Sequence, residues 1–166
     1  LKPQQVKRIT ARTSENIHHT LLHHHPHTEL EAKFSLEFCL AALLVDRRCG
    51  LTQFTDEYVN RADVQAAIAR VDYRTYSEEE GQRDHCTIVT TFINIELHDG
   101  RVLSGRADHG KGNIADPMSD AEVAAKFREC AEFRGWAPSL TEEAIALAGK
   151  LETLADVRGL MRCLQG

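Results

Sequence analysis

The most apolar part of the chain is Ala32–Val45, which reads A-K-F-S-L-E-F-C-L-A-A-L-L-V. Apolar side chains cover nearly the whole circumference of the helix that this segment predicts, so other layers of the protein must enclose it. Glu37 is the charged residue that interrupts its most apolar stretch. Thr28 and Glu31 have the spacing of a capping box and predict a sharp helix start, while Gly50 is available for a left-handed turn at its end.

Strand-like segments occur before and after this helix, and they combine β-branched residues with apolar and polar alternation. They are Gln5–Thr13, Val71–Tyr76, Cys86–Leu97 and Arg101–Ala107. The Asp99-Gly100 pair between the last two predicts a hairpin turn. Because the apolar face of a sheet and an all-round apolar helix need each other, the sequence predicts an α+β fold. We expect an antiparallel sheet of about four strands packed on the helix Ala32–Val45.

The rest of the chain predicts helices and loops around this sheet. Short helices are predicted at Leu51–Tyr58, Asp63–Val71 and Asp156–Leu164, longer ones after Ser119 and at Leu140–Leu151, and a charged loop at Ser77–Asp84. Ser119 and Glu122 have the spacing of a capping box, and the same spacing recurs at Ser139. The sequence shows neither an internal repeat nor a low-complexity linker, so residues 1–166 are expected to form a single domain with these further helices at its C-terminal end.

Charge and composition argue against several classes of protein. The net charge is −5 with neutral histidines, and the basic residues are scattered, so no nucleic-acid partner is expected. The longest apolar run is much shorter than the roughly 20 residues that span a bilayer, so no membrane partner is expected either. The polar start of the chain lacks the apolar core of a signal peptide. The five cysteines form no C-x-x-C pair, which favours reduced thiols and a cytoplasmic location.

Histidines are concentrated between residues 18 and 27. They are His18, His19, His23, His24, His25 and His27. Imidazole is the commonest metal ligand in proteins, and a metal-binding segment is therefore one interpretation. Metal sites usually take ligands from separate folded elements and orient them with further hydrogen bonds. Adjacent histidines in one loop fit that geometry poorly, so a solvated loop without a metal is the favoured interpretation.

The glycine-containing segment Gly110-Lys111-Gly112-Asn113 follows a predicted strand and precedes a predicted helix. Loops in that position can bind anions, but the glycine spacing and the place of the lysine do not fit a P-loop. A tight connection is the favoured interpretation, with contact to a ligand as the alternative. G-x-S-x-G and H-E-x-x-H motifs are absent. Lys33 and Ser35 could serve chemistry, although capping and solvation explain them more simply.

Two sets of short motifs occur in a fixed order along the chain. The first is Glu31-Ala32-Lys33-Phe34-Ser35-Leu36, followed by the apolar helix and by Gln53-Phe54-Thr55. The second is Asn113-Ile114-Ala115-Asp116-Pro117-Met118-Ser119, continuing to Lys126-Phe127. With the helix, the strand and the Asp-Gly hairpin in the expected order between them, the sequence resembles the MmgE/PrpD family over roughly Val6 to Leu164.

The resemblance implies a fold, a chemistry and an assembly. The family includes 2-methylcitrate dehydratase, cis-aconitate decarboxylase and iminodisuccinate epimerase. Its members have a large helical domain and a smaller α+β domain, are usually dimers, and need no metal or organic cofactor. They move protons beside a carboxylate group of a small di- or tricarboxylate, which requires acid/base side chains and cationic groups. This chain looks like the C-terminal α+β domain alone, with the N-terminal helical domain missing and a homodimer as the expected assembly.

The resemblance carries over few site residues. The family's active-site histidines and lysines lie mainly in the helical domain and just before the α+β domain, so they have no counterpart here. Where cis-aconitate decarboxylases have an active-site Tyr, this sequence has His18. An imidazole can also give or take a proton, so His18 is the catalytic candidate, and dehydratase, decarboxylase and epimerase all stay open. Lys33, Lys111 and Asn113 are candidates for the wall of the substrate cleft.

The expected behaviour of the isolated chain follows from this division of residues. An acid/base pair and a cationic clamp must be held together for turnover, and this chain offers only part of that set. We therefore expect the 166-residue chain to fold but to be inactive alone. A stand-alone binding or interaction module that keeps the fold without the catalytic half is the alternative.

Overall fold

A computed structural model describes residues 1–165 of the chain. Contacts within it define two compact units, the first covering Leu1–Asp116 and the second beginning at Pro117. The expectation of a single domain over residues 1–166 stays a prediction. Within the described residues, no helix combines the length and the apolar character needed to cross a membrane.

Within the described residues, the first unit is built on a four-stranded sheet. Its strands are β1 (Val6–Thr13), β2 (Val71–Thr75), β3 (Thr91–Leu97) and β4 (Val102–Ala107), in the spatial order β2-β1-β3-β4. β3 pairs antiparallel with both β1 and β4, and Gly100 at φ 88° makes the predicted hairpin turn. β2 runs parallel to β1, with Ile9 opposite Val71. The α+β fold is confirmed, but the sheet is mixed rather than antiparallel, because the helical crossover from β1 to β2 returns the chain to the same end of the sheet.

Short helices connect these strands. They are α1 (Glu15–Thr20), α2 (Glu29–Ala32), α3 (Leu36–Asp46), α4 (Asp56–Val59), α5 (Ala62–Ile68) and α6 (Glu78–Arg83). The capping box of Thr28 and Glu31 is formed at α2, which confirms that helix start. The predicted loop at Ser77–Asp84 is wrong, because the segment contains α6. Ser77 and Glu80 form a capping box there, and this local pairing stabilises a helix despite the high charge of the segment.

The predicted helix Ala32–Val45 is divided into two elements. Ser35 has an extended backbone, and its Oγ accepts a hydrogen bond from the Phe38 N–H at 3.2 Å. Ser35 is therefore the N-cap of a new helix, and α3 begins at Leu36. Lys33 closes α2 as its C-cap. It therefore lies before α3, and not in the first turn of the apolar helix, where a continuous helix Ala32–Val45 would have placed it.

Two local turns also differ from the sequence expectations. Arg47, at φ 59°, adopts the left-handed conformation at the end of α3 that was expected of Gly50. The segment 86–90, predicted to be part of the third strand, forms a turn before β3. There the buried Thr90 accepts a hydrogen bond from the Thr87 N–H at 2.7 Å and donates one to Asp108 at 2.7 Å. In this segment, these side-chain hydrogen bonds stabilise a turn in place of pairing with a neighbouring strand.

The apolar core of the first unit lies between α3, α5 and the sheet. Its buried members are Val6, Ile9, Ala32, Phe38, Ala41, Ala42, Leu44, Tyr58, Val59, Val64, Ala67, Ile68 and Leu97. Phe38 is fully buried, with its ring centroid 5.2 Å from that of Phe54 and 6.1 Å from that of Tyr58. Leu43 of the same helix is 46% exposed. The helix α3 is thus buried on one side, and it is not enclosed around its whole circumference as the sequence predicted.

The second unit is helical. It contains α7 (Asp120–Phe133), α8 (Pro138–Ala148) and α9 (Arg158–Cys163). The predicted capping box of Ser119 and Glu122 is formed, and Gly135 at φ 76° follows the end of α7. The predicted capping box at Ser139 is wrong, because α8 begins at Pro138, two residues before the predicted start at Leu140, and proline is a favoured first residue of helices.

Candidate functional site

His18 lies on a short helix that starts where β1 ends. Ser14 caps α1 by accepting a hydrogen bond from the Ile17 N–H at 3.4 Å. This cap places His18 in the last turn of α1, half-buried. Its ring centroid is 4.7 Å from that of Tyr73 on β2 and 4.9 Å from that of His24. The helix, the neighbouring strand and the segment after α1 therefore meet at one cluster of rings.

Tyr73 supports the His18 ring and keeps its own proton. Strand pairing sets Tyr73 opposite Ala11, and its hydroxyl lies 2.8 Å from the Thr13 Oγ1. Thr13 is buried, and either of the two hydroxyls can donate in this hydrogen bond. Burial raises the pKa of Tyr73. Tyr73 is thus an anchored packing surface for His18.

His24 is bound to a buried carboxylate. Its Nδ1 lies 2.7 Å from the Glu37 Oε1, and the Glu37 residue is only 4% exposed. The second carboxylate oxygen of Glu37 accepts a hydrogen bond from the Ser35 Oγ at 3.4 Å. A buried charge is tolerated when it is paired and hydrogen-bonded in this way. The site therefore contains a carboxylate–imidazole pair beside His18.

The electrostatic environment of His18 favours its neutral form. Burial lowers the pKa of His18 below its usual value, the charge of His24 lowers it further, and His19 contributes in the same direction. Glu37 and Glu15 raise the pKa of His18, but less than the combined lowering. A neutral imidazole near pH 7 can accept a proton, which is the property that a general base requires.

The histidine-rich segment is in part the solvated loop that the sequence favoured, since His25 and His27 are exposed, but hydrogen bonds also tie it to the rest of the first unit. The His23 N–H donates to the Phe34 carbonyl at 3.1 Å. The Asn60 side chain donates to the His27 carbonyl at 2.7 Å. Among residues 1–165, no group of three or more His, Cys, Asp or Glu side chains is placed to hold a metal ion. These two hydrogen bonds, which the residue types did not reveal, fix the chain on both sides of His24.

The other sequence candidates lie in separate segments. Lys33, at the end of α2, is exposed, and its Nζ is 3.5 Å from the Glu29 Oε1. The Lys111 Nζ is 3.0 Å from the Asp116 Oδ1 in the turn after β4. Asn113 accepts a hydrogen bond from the Ala115 N–H at 2.9 Å within that same turn. Gly112 at φ 94° and these local bonds make the turn a tight connection, and the bonds given above for each candidate are to residues outside the His18 cluster.

A cavity in the second unit does not suit a carboxylate ligand. It has a volume of about 420 Å³ and lies between α7, α8 and α9, with Val123, Phe127 and Ile145 among its lining residues. Asp120 is the ionisable residue in that lining. Binding a di- or tricarboxylate requires cationic or hydrogen-bonding groups, so the His18 cluster is the better candidate.

Sequence reasoning missed His24, Glu37 and Tyr73 as members of this site. Glu37 was detectable in principle, because a lone carboxylate inside an apolar helix must find a partner when it is buried. Tyr73 was visible only as an aromatic residue in a strand. Its contact with His18 depends on the parallel pairing of β1 and β2, which the sequence did not predict.

A histidine–carboxylate cluster on an α+β fold is an arrangement suited to enzymes that transfer protons. The chain belongs to the MmgE/PrpD family, because it matches the model of the MmgE/PrpD C-terminal domain over residues 1–151. Similar proteins include the cis-aconitate decarboxylases of Mus musculus, 29% identical over 85% of this chain, and of Homo sapiens, 26% identical over 85%. That of Aspergillus terreus is 27% identical over 84% of the chain. The chain spans only 28% of the length of each of these relatives.

Proposed function

We propose that this chain is the C-terminal domain of a carboxylate lyase or isomerase that acts on a small di- or tricarboxylate by acid/base proton transfer. The observation that carries the proposal is His18, half-buried with a lowered pKa and in contact with a histidine that a buried carboxylate holds. Membership of the MmgE/PrpD family supports a lyase. The similar decarboxylases make cis-aconitate the first substrate to test.

His18 is proposed as the catalytic residue of this domain. Its neutral imidazole takes a proton from the substrate, or returns one, beside the carboxylate group where charge develops. The ring of Tyr73 restricts the orientation of His18, at a centroid distance of 4.7 Å. Holding the reacting groups in a fixed geometry removes part of the entropic barrier.

Lys33 and Lys111 are proposed to face the substrate carboxylates, with Asn113 as a neutral hydrogen-bonding group. Both lysines are exposed and pair with surface carboxylates, Glu29 and Asp116. Exposed ion pairs contribute only about 0–1 kcal/mol, so a substrate carboxylate can replace Glu29 or Asp116 at small cost. The substrate carboxylates would thus pair with the two lysine side chains that the surface of the domain already exposes.

The remaining catalytic groups are proposed to come from an N-terminal helical domain, in a cytoplasmic homodimer that needs no metal or organic cofactor. The relatives are more than three times as long as the matched region, which leaves room for such a domain. On this proposal the 166-residue chain binds carboxylates weakly and does not turn them over.

The proposal is tested by comparing the full-length protein with the isolated chain. Both are screened for thermal stabilisation by citrate, 2-methylcitrate, cis-aconitate and aspartate-derived acids, and then assayed for dehydration, decarboxylation and epimerisation. We expect turnover of at least one acid by the full-length protein and none by the chain alone. Turnover by the isolated chain would contradict the divided site. Binding without turnover by the full-length protein would favour the alternative of a binding module.

A further inference from the structure

The contact between His24 and Glu37 has the geometry of a side-chain pair that orients an imidazole. The Glu37 carboxylate lies in the first turn of α3, is almost fully buried, and accepts hydrogen bonds at both oxygens. The side chain of His24 is 39% exposed. One end of the imidazole is therefore fixed inside the protein, while the ring still reaches the surface where a substrate can approach.

This contact determines which nitrogen of His24 is available. When Glu37 is ionised, its carboxylate only accepts hydrogen bonds, and the 2.7 Å contact then places a proton on Nδ1. In the neutral ring, Nε2 then carries the lone pair. The second nitrogen of a histidine takes its role from the bond that the first one makes. Glu37 thus selects the tautomer in which Nε2 can accept a proton.

The His24 ring lies beside the proposed catalytic histidine. The ring centroids of His18 and His24 are 4.9 Å apart with an interplanar angle of 35°, and His24 also contacts Tyr73 at 5.8 Å. The two imidazoles come from different segments of the chain, and a positive charge on His24 lowers the pKa of His18. Two proton-transfer groups therefore border the same patch of surface.

We propose that His24 is a second catalytic acid/base residue of this site and that Glu37 is its positioning residue. The inference rests on the proposed function, and it adds the second proton-transfer group that His18 alone does not provide. In the forward step the His24 Nε2 accepts a proton from the substrate, and the electron pair of the broken bond stays on the substrate. Nδ1–H remains bound to Glu37 throughout. The imidazolium then returns its proton to the product or to water.

A purely structural role for the pair makes a different prediction. Removing one partner of a buried pair is costly when the other partner stays buried and uncompensated; the His24 side chain is 39% exposed and can be hydrated, so Glu37→Leu should leave the fold intact. If the pair were only structural, a folded Glu37→Leu protein would keep its kinetics. If Glu37 positions His24, the variant loses the tautomer preference of His24 and part of its turnover rate while remaining folded.

The first test reads the tautomer directly in the 166-residue chain. In a ¹⁵N-labelled sample at a pH where His24 is neutral, nitrogen chemical shifts should report a proton on Nδ1. In Glu37→Leu this preference should be lost, with an unchanged circular dichroism spectrum. A His24 protonated mainly on Nε2 in the unmodified chain would overturn the role of Glu37, whatever the activity of the enzyme.

The second test measures kcat and KM in the full-length protein for the acid that it turns over. His24→Gln should lower kcat/KM by about 10²–10⁴-fold, the usual effect of removing a general acid or base. Glu37→Leu should lower kcat with a smaller effect on KM. His25→Gln is the matched control, since His25 is exposed, and should retain full activity. Equal activity of His24→Gln and His25→Gln would overturn the inference and leave the proposed function standing. Inactivity of the unmodified protein on every acid would overturn the proposed function and the catalytic role of His24 with it.

Discussion

Replacing Phe38 tests the packing that brings Glu37 to the site. Phe38 is fully buried on α3, next in sequence to Glu37, and its ring contacts those of Phe54 and Tyr58. Phe38→Ala should lower the free energy of unfolding by about 3–5 kcal/mol, because it removes a whole buried ring and leaves a cavity. Single domains have a total stability of only about 5–15 kcal/mol. The variant should therefore lose a large share of the chain's stability.

The matched control is Leu43→Ala on the same helix. Leu43 is 46% exposed, and complete burial of a leucine contributes about 1.5–3 kcal/mol, so its truncation should cost about 1 kcal/mol. Urea unfolding followed by far-ultraviolet circular dichroism measures both. With a slope of about 2 kcal/mol per molar urea, the midpoint should fall by about 2 M for Phe38→Ala. Equal losses for the two variants, or a loss below about 1 kcal/mol for Phe38→Ala, would refute the assignment of this face of α3 to the core.

Two further predictions concern the site and the second unit. His24→Gln should raise the pKa of His18, as measured by NMR titration. Burial still lowers that pKa in the variant, but the charge of His24, the second-largest cause of the lowering, is removed. A lower His18 pKa in the variant would contradict the contact between the two rings. Ser119→Ala should cost about 0.5–2 kcal/mol of helix stability through loss of the N-cap, whereas Ser139→Ala should cost little because Ala137 occupies the N-cap of α8. The ring of Trp136 packs 6.0 Å from that of Phe127 on α7, so its fluorescence reports the unfolding of that helix. Equal losses of stability in the two serine variants would argue against Ser119 and Ala137 as the N-caps of α7 and α8.

Local patterns in the sequence were sufficient for elements that are stabilised locally. The capping boxes at Thr28 and Ser119 and the hairpin at Gly100 were predicted correctly, since each depends on residues within a few positions of one another. The division of the apolar helix at Ser35 was not predicted. The hydrophobic pattern continues across Ser35, and the new helix start depends on the backbone conformation that this residue adopts.

Features that depend on distant parts of the chain could not be predicted in the same way. Alternation in β1 and β2 is compatible with either direction of pairing, so the parallel arrangement follows from the path of the helices between them. The candidate site also depends on this path of the chain between β1 and β2. His18 was selected from the resemblance, but its contacts with Tyr73 and His24 join segments whose relation depends on that crossover.

The most direct test of the proposed function is the effect of His18→Gln in the full-length protein. Release of carbon dioxide from cis-aconitate and dehydration of 2-methylcitrate would be measured for the unmodified protein, for His18→Gln and for the exposed control His25→Gln. The account predicts that kcat/KM falls by about 10²–10⁴-fold in His18→Gln, with folding unchanged, and stays the same in His25→Gln. Full activity of His18→Gln would show that the proton transfer takes place without this domain's histidine and would contradict the account.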